Sequence, residues 1–129
     1  MNDSGFSEPV IFLRLADCYR CLHTRILSFP KASRYSLGMR LEQSLLEIVE
    51  LGYLAQSKRG TSRVMILNKM DVTLRIFFFH LRLAHDTRCL NDAGYAELSG
   101  YGVEIGKMIG GWLKKTTELE ETKTAGRPR

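Results

Sequence analysis

Apolar residues recur every three or four positions in four stretches of the chain, the period of one helix face. In the second stretch Leu37, Leu41, Ser44, Ile48, Leu51 and Ala55 alternate by four and three. In the third Leu67, Met70, Leu74, Phe77, Leu81 and Ala84 do so, and in the fourth Leu98, Tyr101, Ile105, Met108 and Trp112. The first stretch is less regular, with Ile11, Leu15, Cys18 and Leu22 on one stripe and Phe12, Ala16 and Tyr19 on another.

The residues between these stretches punctuate them. Ser7 is placed to cap a first helix, and Pro9 suits its first turn, where a missing N–H loses no partner. That helix should stop near Leu27, because a residue before Pro30 is pushed out of the α region. Ser33 is the expected cap of a second helix running towards Ser57, where "SKRGTS" breaks it. A third should open near Thr61 or Ser62 and reach about Arg88, and after the turn "NDAG" a fourth should span about Ala93 to Thr116. Short connections make neighbours antiparallel, so the pattern predicts an all-α, up-down four-helix bundle over residues 1–116. The remainder, residues 117–129, is polar, lacks apolar periodicity and is expected to be disordered.

With 129 residues, 44 % apolar and 26 % charged, the chain is sized and composed for one globular domain. Two features exceed what a lone bundle needs. Ile76, Phe79 and Leu83 form a second apolar stripe on the third helix, and Leu45, Val49, Gly52 and Tyr53 add to the second. A helix apolar nearly all round must be covered, which points to self-association. Gly102, Gly106 and Gly110 stand four apart on the fourth helix, above Trp112. Each glycine costs about 1 kcal/mol against alanine in a helix. Close approach of a neighbouring helix, in the same chain or another subunit, would offset that cost.

Catalytic and metal chemistry find little support. The three cysteines are an odd number, Cys18 and Cys21 form a lone C-x-x-C, and no second pair completes a zinc set. Reduced thiols are expected. No Glu-x-x-His pair occurs, and His80 and His85 lie about 140° apart around a helix, so they share no ligand face. Glu42, Glu47 and Glu50 read as a solvated face. There is no glycine-rich phosphate loop and no nucleophile elbow. No catalytic residue, metal or cofactor is therefore expected. The N-terminus lacks the basic start and apolar run of a signal peptide, and "RIFFFHLRLA" is too short and charged to span a bilayer.

The basic residues carry more. The formal net charge is +5. Lys58, Arg59 and Arg63 cluster where the third helix begins; Arg75 and Arg82 stand seven apart on it, with His85 and Arg88 at its end. Lys107, Lys114 and Lys115 lie on the fourth helix. Several cations on one surface suit phosphates, because affinity grows with the number of contacts. The plainer reading pairs Asp71 with Arg75 and Asp86 with Arg82, each four apart, as a laced surface. No interleaving of aromatic and basic residues is evident, so any nucleic-acid contact should be backbone-directed and weakly sequence-specific.

Three segments go further: "FPKASRYSLGMRLEQSLLEIVELGYLA", "LNKMDVTLRIFFFHLRLAHD" and "YAELSGYGVEIGKMIGGWLK". They resemble the Avd (accessory variability determinant) family of diversity-generating retroelements. That family falls within a wider group of four-helix bundle proteins that includes the ribosomal-RNA intervening-sequence proteins. The resemblance covers roughly Phe29 to Lys115. The F-P-K-x-x-R-Y-x-L-G start is shared in looser form with the intervening-sequence proteins; the I-G-x-M-I-G-G-W-L end looks more like Avd. The resemblance implies a homopentameric, basic, barrel-like assembly, cytoplasmic and encoded by a bacterium or a phage. It implies binding to the element's reverse transcriptase and to RNA and DNA, in support of mutagenic cDNA synthesis and retrohoming. It brings no catalytic residue. The opening motif would then be a helix start in a scaffold, with Phe29 packed at the bundle end and Lys31, Arg34 and Arg40 on a basic rim.

Overall fold

A computed structural model describes residues 8–125, and these are helical, with no strand among them. Ser7, the expected first cap, lies outside the described residues. Helix α1 spans Glu8–Ile26. Helix α2 starts with a single turn at Lys31–Ser33, passes through a π-helical segment at Arg34–Gly38 and continues as α-helix over Met39–Gln56. Helix α3 spans Gly60–Asp86 and α4 spans Asp92–Ala125. Each helix packs on its neighbours in chain order, and α1 closes the square against α4, which is the predicted four-helix bundle.

The periodic stripes are the core. Ile11, Leu15, Cys18 and Leu22 of α1 meet Leu41 and Ile48 of α2, the full α3 series from Leu67 to Ala84, and Leu98, Ile105 and Trp112 of α4. Burying each large aliphatic side chain contributes about 1.5–3 kcal/mol, so this stripe outweighs every surface contact described below. Phe29 fills the end of the core at 1 % exposure, the place the opening motif's resemblance implied for it. Leu45 and Gly52, read from the sequence as part of an outward stripe, are instead buried. A Cβ on Gly52 would lie 2.9 Å from Phe12 Cε1, so the glycine admits the ring that stacks on Tyr53 at 4.1 Å.

Three boundaries differ from expectation. Ser33 does not cap α2; Pro30 stands at the N-cap with φ −53° and ψ 143°, and no side chain caps the turn. A residue with fixed φ and no N–H is suited to opening a helix, and it takes over the role given to Ser33. At the start of α4 the Asn91 carboxamide oxygen accepts the Gly94 N–H at 2.8 Å, an N-cap one residue upstream of "DAG". Finally, α4 does not end at Thr116. Thr116 is buried, its hydroxyl donates to the Trp112 carbonyl at 2.8 Å, and Glu120 lies beside Gly60 at the start of α3. Packing against α3 thus extends the helix to Ala125, through residues expected to be disordered. Residues 126–129 of that tail lie outside the described residues. No helix among the described residues is long and apolar enough to cross a membrane.

Candidate nucleic-acid interface

The cations singled out by spacing fall into three groups with different surroundings. At the bundle end that holds the α2–α3 turn, Lys58 and Arg59 are exposed, whereas Arg63 is withdrawn. Its Nε donates to the Ala55 carbonyl at 2.9 Å and its Nη2 to that of Gln56 at 3.4 Å, closing the C-terminus of α2. The same guanidinium lies 5.6 Å from the centre of the Trp112 ring. These contacts make Arg63 a clamp of this bundle end. Lys123 joins this end because α4 continues past Thr116, and it lines the same shallow depression as Arg59 and Arg63.

The middle group lies along α3 and α4. Arg75 and Arg82 are exposed, and Phe78 sits between them in helical register with its ring against Gly102. Arg75 pairs with Asp71 at 3.1 Å, as the plainer reading expected. Arg82 does not reach for Asp86; its guanidinium lies 5.7 Å from the Phe79 ring centre. An exposed ion pair of this kind contributes at most about 1 kcal/mol, so Asp71 does not prevent Arg75 from meeting a phosphate. Lys107 and Lys114 are exposed on α4 seven residues apart.

Arg88 lies at the opposite end, in the α3–α4 turn. Its φ of 65° places it in the left-handed region, and the N–H groups of Cys89 and Leu90 return to the Ala84 carbonyl at 2.8 and 3.1 Å. It terminates α3 in the position where glycine is usual. Beside it, His85 Nε2 lies 2.7 Å from the Asp92 carboxylate and its ring stacks on Tyr95.

The basic rim expected around Lys31, Arg34 and Arg40 also carries an aromatic residue that the sequence reading did not include. Lys31, Arg34, Tyr35 and Arg40 are all exposed around the π-helical segment, with Tyr35 67 % exposed. The string "KASRYSLGMR" contains the interleaving of cation and ring that was judged missing. Arg40, Gln43 and His80 line one shallow groove there with Tyr35. Burial, and secondarily the Arg40 charge, lowers the His80 pKa, so the imidazole is neutral there at ordinary pH.

The glycine ridge is not uniform. A Cβ on Gly102 would lie 2.6 Å from Phe78 Cζ, and one on Gly106 3.2 Å from Leu74 Cδ2, so both serve α3–α4 contact within the chain. Gly110 faces open space, so no helix of the same chain approaches it. Trp112 is buried, as expected of a packing residue. Ile76 and Phe79 are 45 % and 51 % exposed and Leu83 is half-buried, so this second stripe faces outward from the bundle.

The acidic and thiol groups have settled roles. Glu42 is not simply solvated: it accepts from the Tyr19 hydroxyl at 3.3 Å and lies 3.6 Å from His23 Nδ1. Burial pushes the Cys18 thiol up to about 12 and, with help from Glu97, the Cys21 thiol to about 11. Both are thiols at neutral pH, poor as nucleophiles or metal ligands. No group of three or more His, Cys, Asp or Glu that could hold a metal ion occurs among the described residues.

Residues 10–116 match the family model described as bAvd-like, across all four helices. The chain belongs to the bAvd-like family. The resemblance carried by the helix-start and glycine–tryptophan motifs is thereby upheld, and the matched segment begins in α1, well before Phe29. Neither a search of curated proteins nor one of solved structures finds a match.

Proposed function

We propose that this protein is a non-catalytic accessory subunit of a diversity-generating retroelement. It binds the element's reverse transcriptase and its template RNA or cDNA as a homo-oligomer, and so supports mutagenic cDNA synthesis and retrohoming. The observation that carries this reading is membership of the bAvd-like family over residues 10–116. The surface chemistry is compatible with it. The net charge is +5, and Arg75, Arg82, Lys58 and Arg59 are exposed cations able to meet phosphates. Tyr35 among Lys31, Arg34 and Arg40 offers a stacking surface for an unpaired base.

Such binding is directed mainly at the backbone and weakens steeply with salt. The test is co-purification of the tagged protein with the reverse transcriptase encoded beside it. A complex that survives size-exclusion chromatography supports the reading. Absence of a complex, with the protein folded and still bound to RNA, favours a related RNA-associated bundle of the intervening-sequence type without a retroelement role.

A further inference from the structure

The outward side of the α2–α3 pair is a surface that the reading above leaves unused. On α3, Met65, Val72, Ile76, Phe79 and Leu83 succeed one another by seven, four, three and four, a heptad seam distinct from the buried one. Four of them rank among the exposed large apolar residues. Glu47 and Leu51 of α2 line a shallow groove with Met65, Val72 and Ile76, so the seam forms one wall of a cleft whose other wall is α2. Glu47 and Glu50 stand on that α2 wall beside exposed Leu46, and neither has a salt bridge among the described residues.

Helix α4 carries an outward strip of the complementary kind. Gly100, Val103, Lys107, Gly110 and Lys114 succeed one another by three and four. Gly100 and Gly110 have nothing within 4 Å of where a Cβ would stand, so the helix cost of these glycines is not offset inside the chain. Small residues let a second helix approach closely, and the bulky Ile76 and Phe79 are suited to such hollows. Lys107 and Lys114 are exposed and without salt bridges among the described residues, opposite in sign to Glu47 and Glu50.

We propose that the α2–α3 cleft receives the glycine–lysine strip of α4 from a second copy of this chain, with Lys107 and Lys114 directed at Glu47 and Glu50. The two surfaces are different patches of one molecule, so the contact is head-to-tail and generates a closed ring or an open chain of subunits. It assigns Lys107 and Lys114 to subunit contact in place of nucleic acid, and it rests on the homo-oligomeric part of the proposed function.

Two one-sided variants test it. Ile76→Asp with Phe79→Asp spoils the cleft and leaves the strip; Lys107→Glu with Lys114→Glu spoils the strip and leaves the cleft. All four positions are exposed, and circular dichroism verifies that both variants fold. Sedimentation velocity of the unmodified chain should show an assembly larger than a dimer, and each variant should weaken it at least tenfold. Mixing the two variants should give a one-to-one dimer, because one intact cleft meets one intact strip and neither product can extend. A chain carrying Glu47→Lys and Glu50→Lys together with Lys107→Glu and Lys114→Glu should regain assembly. Unchanged assembly in both variants overturns the assigned surfaces while self-association stands. Failure of the mixture to dimerise overturns the head-to-tail pairing. A monomeric unmodified chain overturns both the contact and the homo-oligomeric reading, whereas binding to the reverse transcriptase is judged by the separate co-purification.

Discussion

The Arg63 guanidinium lies 5.6 Å from the Trp112 ring centre while its Nε donates to the Ala55 carbonyl at 2.9 Å, so one side chain joins the end of α2, the start of α3 and the last core residue of α4. Replacing Arg63 by alanine removes a charged hydrogen bond to a helix end and a cation–π contact. We expect a loss of roughly 2 kcal/mol in urea unfolding. Lysine, which has no planar fork, should recover little of it. An Arg63→Ala protein of unchanged stability that binds nucleic acid poorly would return Arg63 to the phosphate-binding set.

The glycines of α4 should separate cleanly. Gly102→Ala forces a Cβ to within 2.6 Å of Phe78 unless the ring moves, and should cost about 1–3 kcal/mol. Gly110→Ala meets open space and should stabilise the isolated chain by about 1 kcal/mol through helix propensity. Thermal unfolding at a concentration where the protein is monomeric distinguishes the two. Equal effects would mean that the Phe78–Gly102 contact does not constrain the packing.

Arg75 and Arg82 should matter for binding and hardly at all for folding. Both are exposed and make only a surface ion pair and a ring contact. Their joint replacement by alanine should leave unfolding within about 0.5 kcal/mol. It should also lower the slope of log affinity for single-stranded nucleic acid against log salt by roughly 1.4. An unaltered slope would locate phosphate binding elsewhere, with the Tyr35 corner next in line.

The thiols set an alkaline limit. Cys18 and Cys21 have pKa values raised to about 12 and about 11 from an ordinary 9.0. The folded protein therefore holds these protons more tightly than the unfolded chain. Their contribution is fully present below pH 9 and is lost as pH rises from there through 11 to 12. Stability measured by denaturant should decline across that window. Replacing Cys18 by alanine should flatten the decline, at some cost in core packing; an identical decline in that variant would remove Cys18 as its cause.

Much of the bundle was legible because it rests on periodicity. Every residue of the α3 series from Leu67 to Ala84 is buried, and the outward stripe of Ile76 and Phe79 was visible as a second phase of the same helix. What escaped depends on contacts remote in sequence. Gly52 reads as a surplus position on α2 until α1 is set beside it with Phe12. The helical course of residues 117–125 follows from packing on α3, which a local reading of a polar tail does not contain. Arg63 looked like one more cation at a turn, because its acceptors belong to the preceding helix. The Tyr35 corner was overlooked for a different reason. Its cations read from the sequence as a helix start and a basic rim, and Tyr35 completes the alternation of cation and ring only when it is set among them.

The central claim, an accessory role in retroelement reverse transcription, is tested most directly by cDNA synthesis. Template RNA of the element is incubated with the adjacent reverse transcriptase, with and without this protein, and the cDNA is quantified and sequenced. The account predicts that template-derived, error-containing cDNA requires the protein, and that the Arg75→Ala/Arg82→Ala variant supports less of it. Equal cDNA yield and error content without the protein would contradict the account.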